Sequence, residues 1–523
     1  MELHDVELLH LAAARRDLAT GSMSPLAARR AVIVIIFATA LVRFWLAAST
    51  GLGIDESYMV TNAREFALGY VDHPPLHVWI AGLAQIVFQS DAPIFVRAPF
   101  ILLFAGSTWL MYRLTERLFG SAAAVWAVVT LNIVPVFSLA DATWVLPDGP
   151  LIFFLLAAAN TLARVLFDDT APAHPALWWT AAGVLGGLAL LSKYTAVLFF
   201  AAVFLFLLST NAGRRWLRTP GPWFGVLAAL IVFSPAFIWN VERGFAGFAF
   251  QGARMTRALP NESYIFQALA GQLLYLTPWL LVPLAISLVN GLRAGREEPR
   301  GWFLAVLAVV PVAVFTVGAL LVASLPHWPM PGWLLAIPLF GRDAATLALR
   351  RPVFARSYIA AAAAVFAILI VAFGIQASRG GLIPSDVVAA NPAIDPTTDL
   401  IDWRELRDGL NERGLLDSDL VVASPHWTYA GKVSYALGDG VPVLCLCRDQ
   451  QQFAFRDDWR DWLGRDVLIV APRHAGERTS AGLGGFFDAL EPLPPLAISR
   501  GGETVITLDL NLGRNLKIPL EIR

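Results

Sequence analysis

Charge is what this sequence has least of. Only 15% of its 523 residues are Asp, Glu, Lys or Arg, where a soluble domain carries about a quarter. The charges that remain nearly cancel, at a formal net −1, so the broad basic surface that nucleic-acid binding requires is missing and no nucleic-acid partner is expected. Cysteine is almost absent as well. Cys445 and Cys447 stand one residue apart, a spacing that suits neither a disulfide framework nor a four-ligand metal site. They read as ordinary small apolar residues on a strand through Val441–Cys447. A cleavable leader is not evident either: Met1–Ser24 is polar, and the apolar run after it is longer than a typical leader core. It reads as a retained first span.

What the chain has instead is apolar length. Hydrophobic residues make up 57% and mean hydropathy is +0.61, concentrated in runs near the roughly 20 residues that cross a bilayer as a helix. Hydrocarbon offers backbone groups no water partner, so such runs must be helical. The pattern predicts spans at Ala31–Thr50, Val96–Leu114, Ala122–Leu139, Gly149–Phe167, Leu177–Leu191, Ala196–Ser209, Trp223–Asn240, Tyr264–Leu288, Trp302–Ala323, Pro331–Leu349 and Tyr358–Gln376, about eleven in all. The run Leu177–Leu208 is divided because Lys193 interrupts it, and a lysine at the bilayer centre costs about 2.5–3.5 kcal/mol. With that division, Arg15, Arg16, Arg29, Arg30, Arg113, Arg117, Arg214, Arg215, Arg218, Arg293, Arg296, Arg300, Arg342, Arg350, Arg351 and Arg356 share one side, as cytoplasmic loops do. Arg43 lies within the first span, either reaching toward the outer interface or lining a polar cavity.

These spans divide the chain into a cytoplasmic segment (1–30), a transmembrane module (31–376) whose first outer loop is 51–95, and an extracytoplasmic domain (377–523). In that last part, Trp403–Arg413 reads as an amphipathic helix and Leu420–Ala423, Val441–Leu446, Val467–Val470 and Thr504–Leu508 as strands, which suggests a small α/β layer. The fold class is therefore an all-α polytopic membrane bundle with a small C-terminal α/β soluble domain.

The polar residues that remain fall on the outer side. Asp55 and Glu56 follow the first span directly. They can supply a general base, which must reach the proton it removes, or simply cap a helix start. In Asp72-His73-Pro74-Pro75 two prolines fix the backbone beside His73, as suits a binding loop or a turn back to the membrane. Asp148 opens the fourth span, Lys193 tips the divided pair, Arg254 and Arg257 share an outer loop, and His327 sits in Leu325-Pro-His-Trp-Pro-Met-Pro-Gly332. Carboxylates beside cations that hold phosphate are what lipid-phosphate chemistry needs, and each of these residues read alone can equally be an interfacial anchor.

At Asp55-Glu56-Ser-Tyr58, Gly69-Tyr-Val-Asp-His-Pro-Pro-Leu76, Val96-Arg-Ala-Pro-Phe100, Tyr112-Arg-Leu-Thr-Glu-Arg-Leu-Phe-Gly120, Asp148-Gly-Pro-Leu-Ile-Phe-Phe154, Gly187-Leu-Ala-Leu-Leu-Ser-Lys193-Tyr and His327-Trp-Pro-Met-Pro331 the sequence resembles the dolichyl-phosphate-mannose protein mannosyltransferase superfamily, which includes aminoarabinose transferases. The resemblance spans roughly Ala31–Leu349. It implies a GT-C glycosyltransferase in the cell (inner) membrane, surrounded by membrane lipids, with a polyprenyl-phosphate-linked sugar as donor and a glycolipid, glycan or protein hydroxyl as acceptor. Asp55 would be the general base of an inverting transfer, with Glu56 and Asp148 orienting base or acceptor. His73, Lys193, Arg254 and Arg257 would bind donor phosphate, and Tyr58, Asp72 and His327 substrate. Aminoarabinose transferases carry a glutamate and a lysine at the segment matching Asp72-His73, so His73 lacks their permanent cation. No cofactor or metal is expected. The rival reading is a multi-span transporter of a lipid-linked or small polar solute; transporters place their charges at midplane, on broken helices.

Overall fold

The computed structural model describes residues 23–168, 173–256, 263–416, 421–447, 449–456, 458–475 and 483–517. Its helices, in chain order, are α1 (Pro25–Ser49), α2 (Ile54–Asn62), α3 (Leu76–Phe88), α4 (Pro93–Phe119), α5 (Ser121–Ile133), α6 (Asp148–Phe167), α7 (Pro175–Ser192), α8 (Val197–Ser209) and α9 (Gly221–Glu242). They continue with α10 (Ala246–Thr256), α11 (Ser263–Leu276), α12 (Pro278–Ala294), α13 (Pro299–Gly318), α14 (Met330–Arg350) and α15 (Pro352–Arg379). Prolines set many of the starts: α1, α4, α7, α12, α13 and α15 each begin on one, where the missing N–H would have had no intrahelical partner. Ser24 completes the start of α1, its Oγ accepting from the amide of Ala27 at 3.3 Å.

Among the described residues eight helices are long and apolar enough to cross a membrane, and ten if two bent pairs count as one span each. The chain is a multi-pass membrane protein. The remaining expected span, Pro331–Leu349, is α14, which Arg342 and Asp343 keep out of that count by hydropathy. It has 21 residues, with Arg342, Asp343 and Arg350 in its second half, and every residue from Met330 to Gly341 is buried. It serves as an inner pillar between α5 and α13. At Gly332 a Cβ would stand 2.4 Å from the carbonyl of Ala308 on α13, so only glycine permits that approach. Ala122–Leu139 is not straight: α5 stops before Pro135, and the chain bends 77° into Val136–Thr143. Tyr264–Leu288 is likewise two helices, broken at Thr277 (φ 63) just before Pro278. Between α7 and α8 the helix is interrupted at Lys193, which has extended backbone. Arg43 is enclosed by protein, donating to Ser138 O (3.1 Å), Ser138 Oγ (2.8 Å) and Asn132 Oδ1 (3.1 Å).

The C-terminal domain is a five-stranded sheet in the order β2-β1-β3-β5-β4, with β1 (Val421–Ser424), β2 (Val443–Cys445), β3 (Val467–Pro472), β4 (Ala489–Arg500) and β5 (Glu503–Arg514). β1 pairs in parallel with β2 and β3, while β5 runs antiparallel to β3 and β4. Leu420 lies outside the described residues. Sequence reading missed β4, because Pro492, Pro494 and Pro495 argue against a strand; β4 is an edge strand, where prolines are tolerated, and its register shifts between Leu493 and Leu496. The amphipathic helix is α16 (Arg404–Glu412), and a further helix, α17 (Trp427–Leu437), was not foreseen. The cysteine expectation fails: Cys445 and Cys447 form a disulfide, with Cα atoms 5.6 Å apart. Residues two apart on extended chain point to the same side, which brings the sulfurs together.

The domain does not hang free. One apolar core runs from Leu52, Tyr58 and Val78 of the first loop into Leu406, Val433 and Leu508 of the domain. Gly431 of α17 lies directly on Tyr58, where a Cβ would approach to 2.8 Å. Lys432 is buried beneath it and donates to the carbonyls of Leu52 (2.5 Å) and Ile401 (2.7 Å). Arg64 of the first loop reaches Ser434 O (3.0 Å) and Asp439 (2.8 Å). First loop and domain are one packed unit.

Candidate active site

A cavity of about 620 Å³ lies where the helical bundle meets this unit. Its lining brings together Asp55, Asp72, His73, Asp148, Lys193, Arg254 and His327, residues that span more than half of the sequence. Glu56, Tyr58 and Arg257 are the remaining sequence candidates. Glu56 and Tyr58 do not line it, and Arg257 lies outside the described residues.

Asp55 stands in the first turn of α2 and opens to the cavity. Burial, and then the charges of Asp399 and Glu56, push its carboxyl above the ordinary range, against the pull of Arg254. Glu56, next in sequence, turns the opposite way. Its carboxylate takes Arg97 Nε (2.8 Å) and Nη2 (2.6 Å), the amide of Gly53 (2.8 Å) and the amide of Val145 (3.0 Å). Every one of its strong acceptor directions is filled, so it anchors the start of α2 and has none left for a substrate. Tyr58 also faces away: its hydroxyl accepts from the amide of Gln452 at 2.9 Å, and its ring meets Trp427 edge-on at 5.0 Å. It fastens the C-terminal domain, which corrects its assignment to substrate.

The Asp72-His73 segment is held from both sides. Gln452 accepts from the amide of Val71 (3.0 Å), and Gln251 on α10 donates to the carbonyl of Asp72 (2.5 Å). Asp72 is buried, its Oδ1 lacks a partner among the described residues, and desolvation pushes its carboxyl up to about 7. Burial holds His73 well below its usual value and takes His327 down to about 4. Both imidazoles are therefore neutral hydrogen-bonding groups at neutral pH.

Lys193 crosses the cavity wall to Asp148, Nζ lying 2.8 and 2.9 Å from the two carboxylate oxygens. An ammonium has three N–H bonds, so one remains for a ligand. The break between α7 and α8 is what delivers Lys193 here. Arg254 projects from α10, its guanidinium 4.8 Å above the Phe250 ring; among the described residues it has no carboxylate within ion-pair distance. Among the described residues the permanent cations of the cavity are thus one lysine shared with Asp148 and one arginine.

Several lining residues escaped sequence reading. Asp141 arrives on the bent segment after α5, and Trp427 and Gln451 come from the C-terminal domain. Pro135 is the signal that could have marked the break, but the span Ala122–Leu139 was read straight through it. Nothing in the sequence signalled Trp427, whose place depends on domain docking. Among the described residues, no group of three or more His, Cys, Asp or Glu side chains is placed to hold a metal ion.

Residues 72–239 match the model of the dolichyl-phosphate-mannose-protein mannosyltransferase family. No curated protein matches the chain in sequence. Among solved structures, ArnT from Cupriavidus metallidurans bound to undecaprenyl phosphate superimposes with a TM-score of 0.61 at 17% identity, covering 91% of this chain and 97% of that one. AglB, the oligosaccharyltransferase of Archaeoglobus fulgidus, in complex with an inhibitory peptide and a dolichol-phosphate, gives 0.51 at 12% identity over 94% and 75%. The family match is confined to residues 72–239, while the likeness to these solved structures extends over most of the chain and is one of fold.

Proposed function

We propose that the protein transfers a sugar from a polyprenyl-phosphate carrier to an acceptor hydroxyl, in the cavity between bundle and domain. The acceptor oxygen attacks the anomeric carbon, Asp55 takes the hydroxyl proton, and the bond from that carbon to the phosphate oxygen breaks. The lipid phosphate leaves with the electron pair, and attack opposite the leaving group inverts the anomeric centre. Arg254 and the free N–H of Lys193 face the phosphate, while His73 and His327 donate as neutral groups. Asp148 positions Lys193, and Asp72 lines the wall beside the sugar. Such cations stabilise the charge that builds on the leaving phosphate. In this reading a lipid monophosphate needs no metal, since two cations suffice for it.

The observation that carries this is the cavity itself, whose lining holds Asp55, with its raised carboxyl, together with Lys193, Arg254, His73 and His327. The lipid phosphates bound by ArnT and AglB support the donor class. The arginine-rich loops support a cytoplasmic opposite side, hence a cavity on the outer face of the inner membrane.

Purified protein in nanodiscs, given a radiolabelled polyprenyl-phosphate sugar and envelope extract, should release free polyprenyl phosphate. Asp55→Asn should lower that rate by about 10²–10⁴-fold with donor binding retained. Undiminished turnover in the variant would remove Asp55 from the base role.

A further inference from the structure

The two walls of the cavity differ in chemistry. The membrane wall holds Lys193 and Arg254. The wall given by the C-terminal domain holds Trp427 and Gln451, and Trp427 opens a row of rings. His426 lies 5.9 Å from Trp427, Tyr429 5.8 Å from His426, and His474 6.2 Å from Tyr429. Trp427 and Tyr429 are half-buried, and the two histidines are exposed. Asp399 stands between this row and the base, since the next residue, Leu400, packs on Gly51 and Gly53 just before Asp55. Its charge acts on Asp55, Tyr429 and His474 alike, second only to burial for all three. Asp449 acts on His426 in the same way.

Cations are missing from this wall among the described residues. Lys432 is buried behind it and turned to the carbonyls of Leu52 and Ile401. Arg473, next to His474, is bound to Asp509 at 2.7 Å. Burial lowers both His426 and His474, which leaves them neutral near pH 7. Among the described residues the surface therefore offers flat aromatic faces, amide and imidazole hydrogen bonds and carboxylates, and no positive charge to welcome an anion.

We infer that Trp427, Tyr429, Gln451 and Asp399 form the acceptor subsite, and that it takes an uncharged saccharide rather than a phosphate-bearing or peptide acceptor. The inference rests on the transferase reading and names its acceptor class. The apolar face of a sugar ring lies on Trp427 as other flat groups do on an indole. Its hydroxyls find Gln451, the histidines and Asp399, and one of them is presented to Asp55. Among the described residues a phosphorylated acceptor would meet Asp399 and Asp449 with no compensating cation, which discriminates against it by like-charge repulsion.

Saturation-transfer NMR on the full-length protein in nanodiscs tests this. The probes are methyl glycosides of neutral hexoses, the corresponding hexose 6-phosphates, and a capped Ser/Thr tripeptide. Saturable binding is expected for at least one neutral glycoside and for none of the phosphates or the peptide. Trp427→Ala should weaken that binding by about tenfold or more while undecaprenyl phosphate still binds. Should Trp427→Ala misfold, the exposed Asp399→Lys carries the test, and it should admit the 6-phosphates. The inference is overturned if no neutral glycoside binds, if phosphates or peptide bind the native protein as well, or if neither substitution changes selectivity. Absence of undecaprenyl phosphate binding to the native protein would instead defeat the transferase reading, and the saccharide result would stand apart from it.

Discussion

Two buried ion pairs sit within the same end of the bundle and do different work. Glu56 and Arg97 form a closed one: side-chain exposures are 3% and 0%, and both carboxylate oxygens are filled by the guanidinium and two backbone amides. Arg97 also holds the carbonyls of Thr50 (3.2 Å) and Gly51 (2.7 Å), so it ties the end of α1 to the start of α2. Asp148 and Lys193 form an open one. They are almost as buried, at 13% and 7%, yet they line the cavity and keep one ammonium N–H unspent. Burial does not separate structural from functional charge. Whether hydrogen-bonding capacity is left over, and what it faces, does.

Breaking the closed pair should cost most in stability. Arg97→Met leaves Glu56 charged and unpaired in the interior, a loss of about 3–5 kcal/mol, to be seen as a lowered unfolding midpoint in detergent. Breaking the open pair should instead show in binding. Lys193→Met removes a hydrogen bond to a charged ligand, and undecaprenyl phosphate affinity should fall by about ten- to a hundredfold. If Lys193→Met cost only stability and left lipid phosphate binding intact, the contrast between the two pairs would collapse.

Titration sharpens the contrast further. Asp72, with its carboxyl raised to about 7, is neutral below that pH and anionic above it. Binding of undecaprenyl phosphate should therefore weaken severalfold as pH rises through 7, more steeply than in Asp72→Asn, because a new negative charge appears in the cavity. A smaller effect concerns the docking contact. Burial lowers Lys432 to about 8 from 10.5, so between these values the unfolded chain holds more protons than the folded one. Stability then rises with pH across that window, and Lys432→Met should flatten the rise in thermal-unfolding midpoints.

Much of the bundle was legible because hydropathy over some 20 residues is a local property. Lys193 announced the break between α7 and α8 through its own cost in hydrocarbon. Pro331–Leu349 shows where that reasoning ends: α14 is a 21-residue helix buried along most of its length, and run length does not distinguish a helix facing protein from one facing lipid. Asp55 and Glu56 show the same limit at the site. Adjacent helical residues point about 100° apart, so one faces the cavity and the other Arg97, and no reading of the pair in sequence assigns them. The Cys445–Cys447 disulfide was missed because the spacing was judged against long-range frameworks rather than the shared side of an extended strand.

The sequence by itself determined a multi-pass membrane chain, its soluble C-terminal portion, and most of the polar residues that meet in the cavity. These follow from composition and from the cost of placing charge in hydrocarbon. Only tertiary structure decided which of those residues remain available. Glu56 and Tyr58 are consumed by packing, Asp141 is swung in by a bend, and Trp427 arrives from a domain hundreds of residues away. Availability depends on partners brought from distant parts of the chain, and those partners are fixed by the docking of the first loop into the core of the C-terminal sheet.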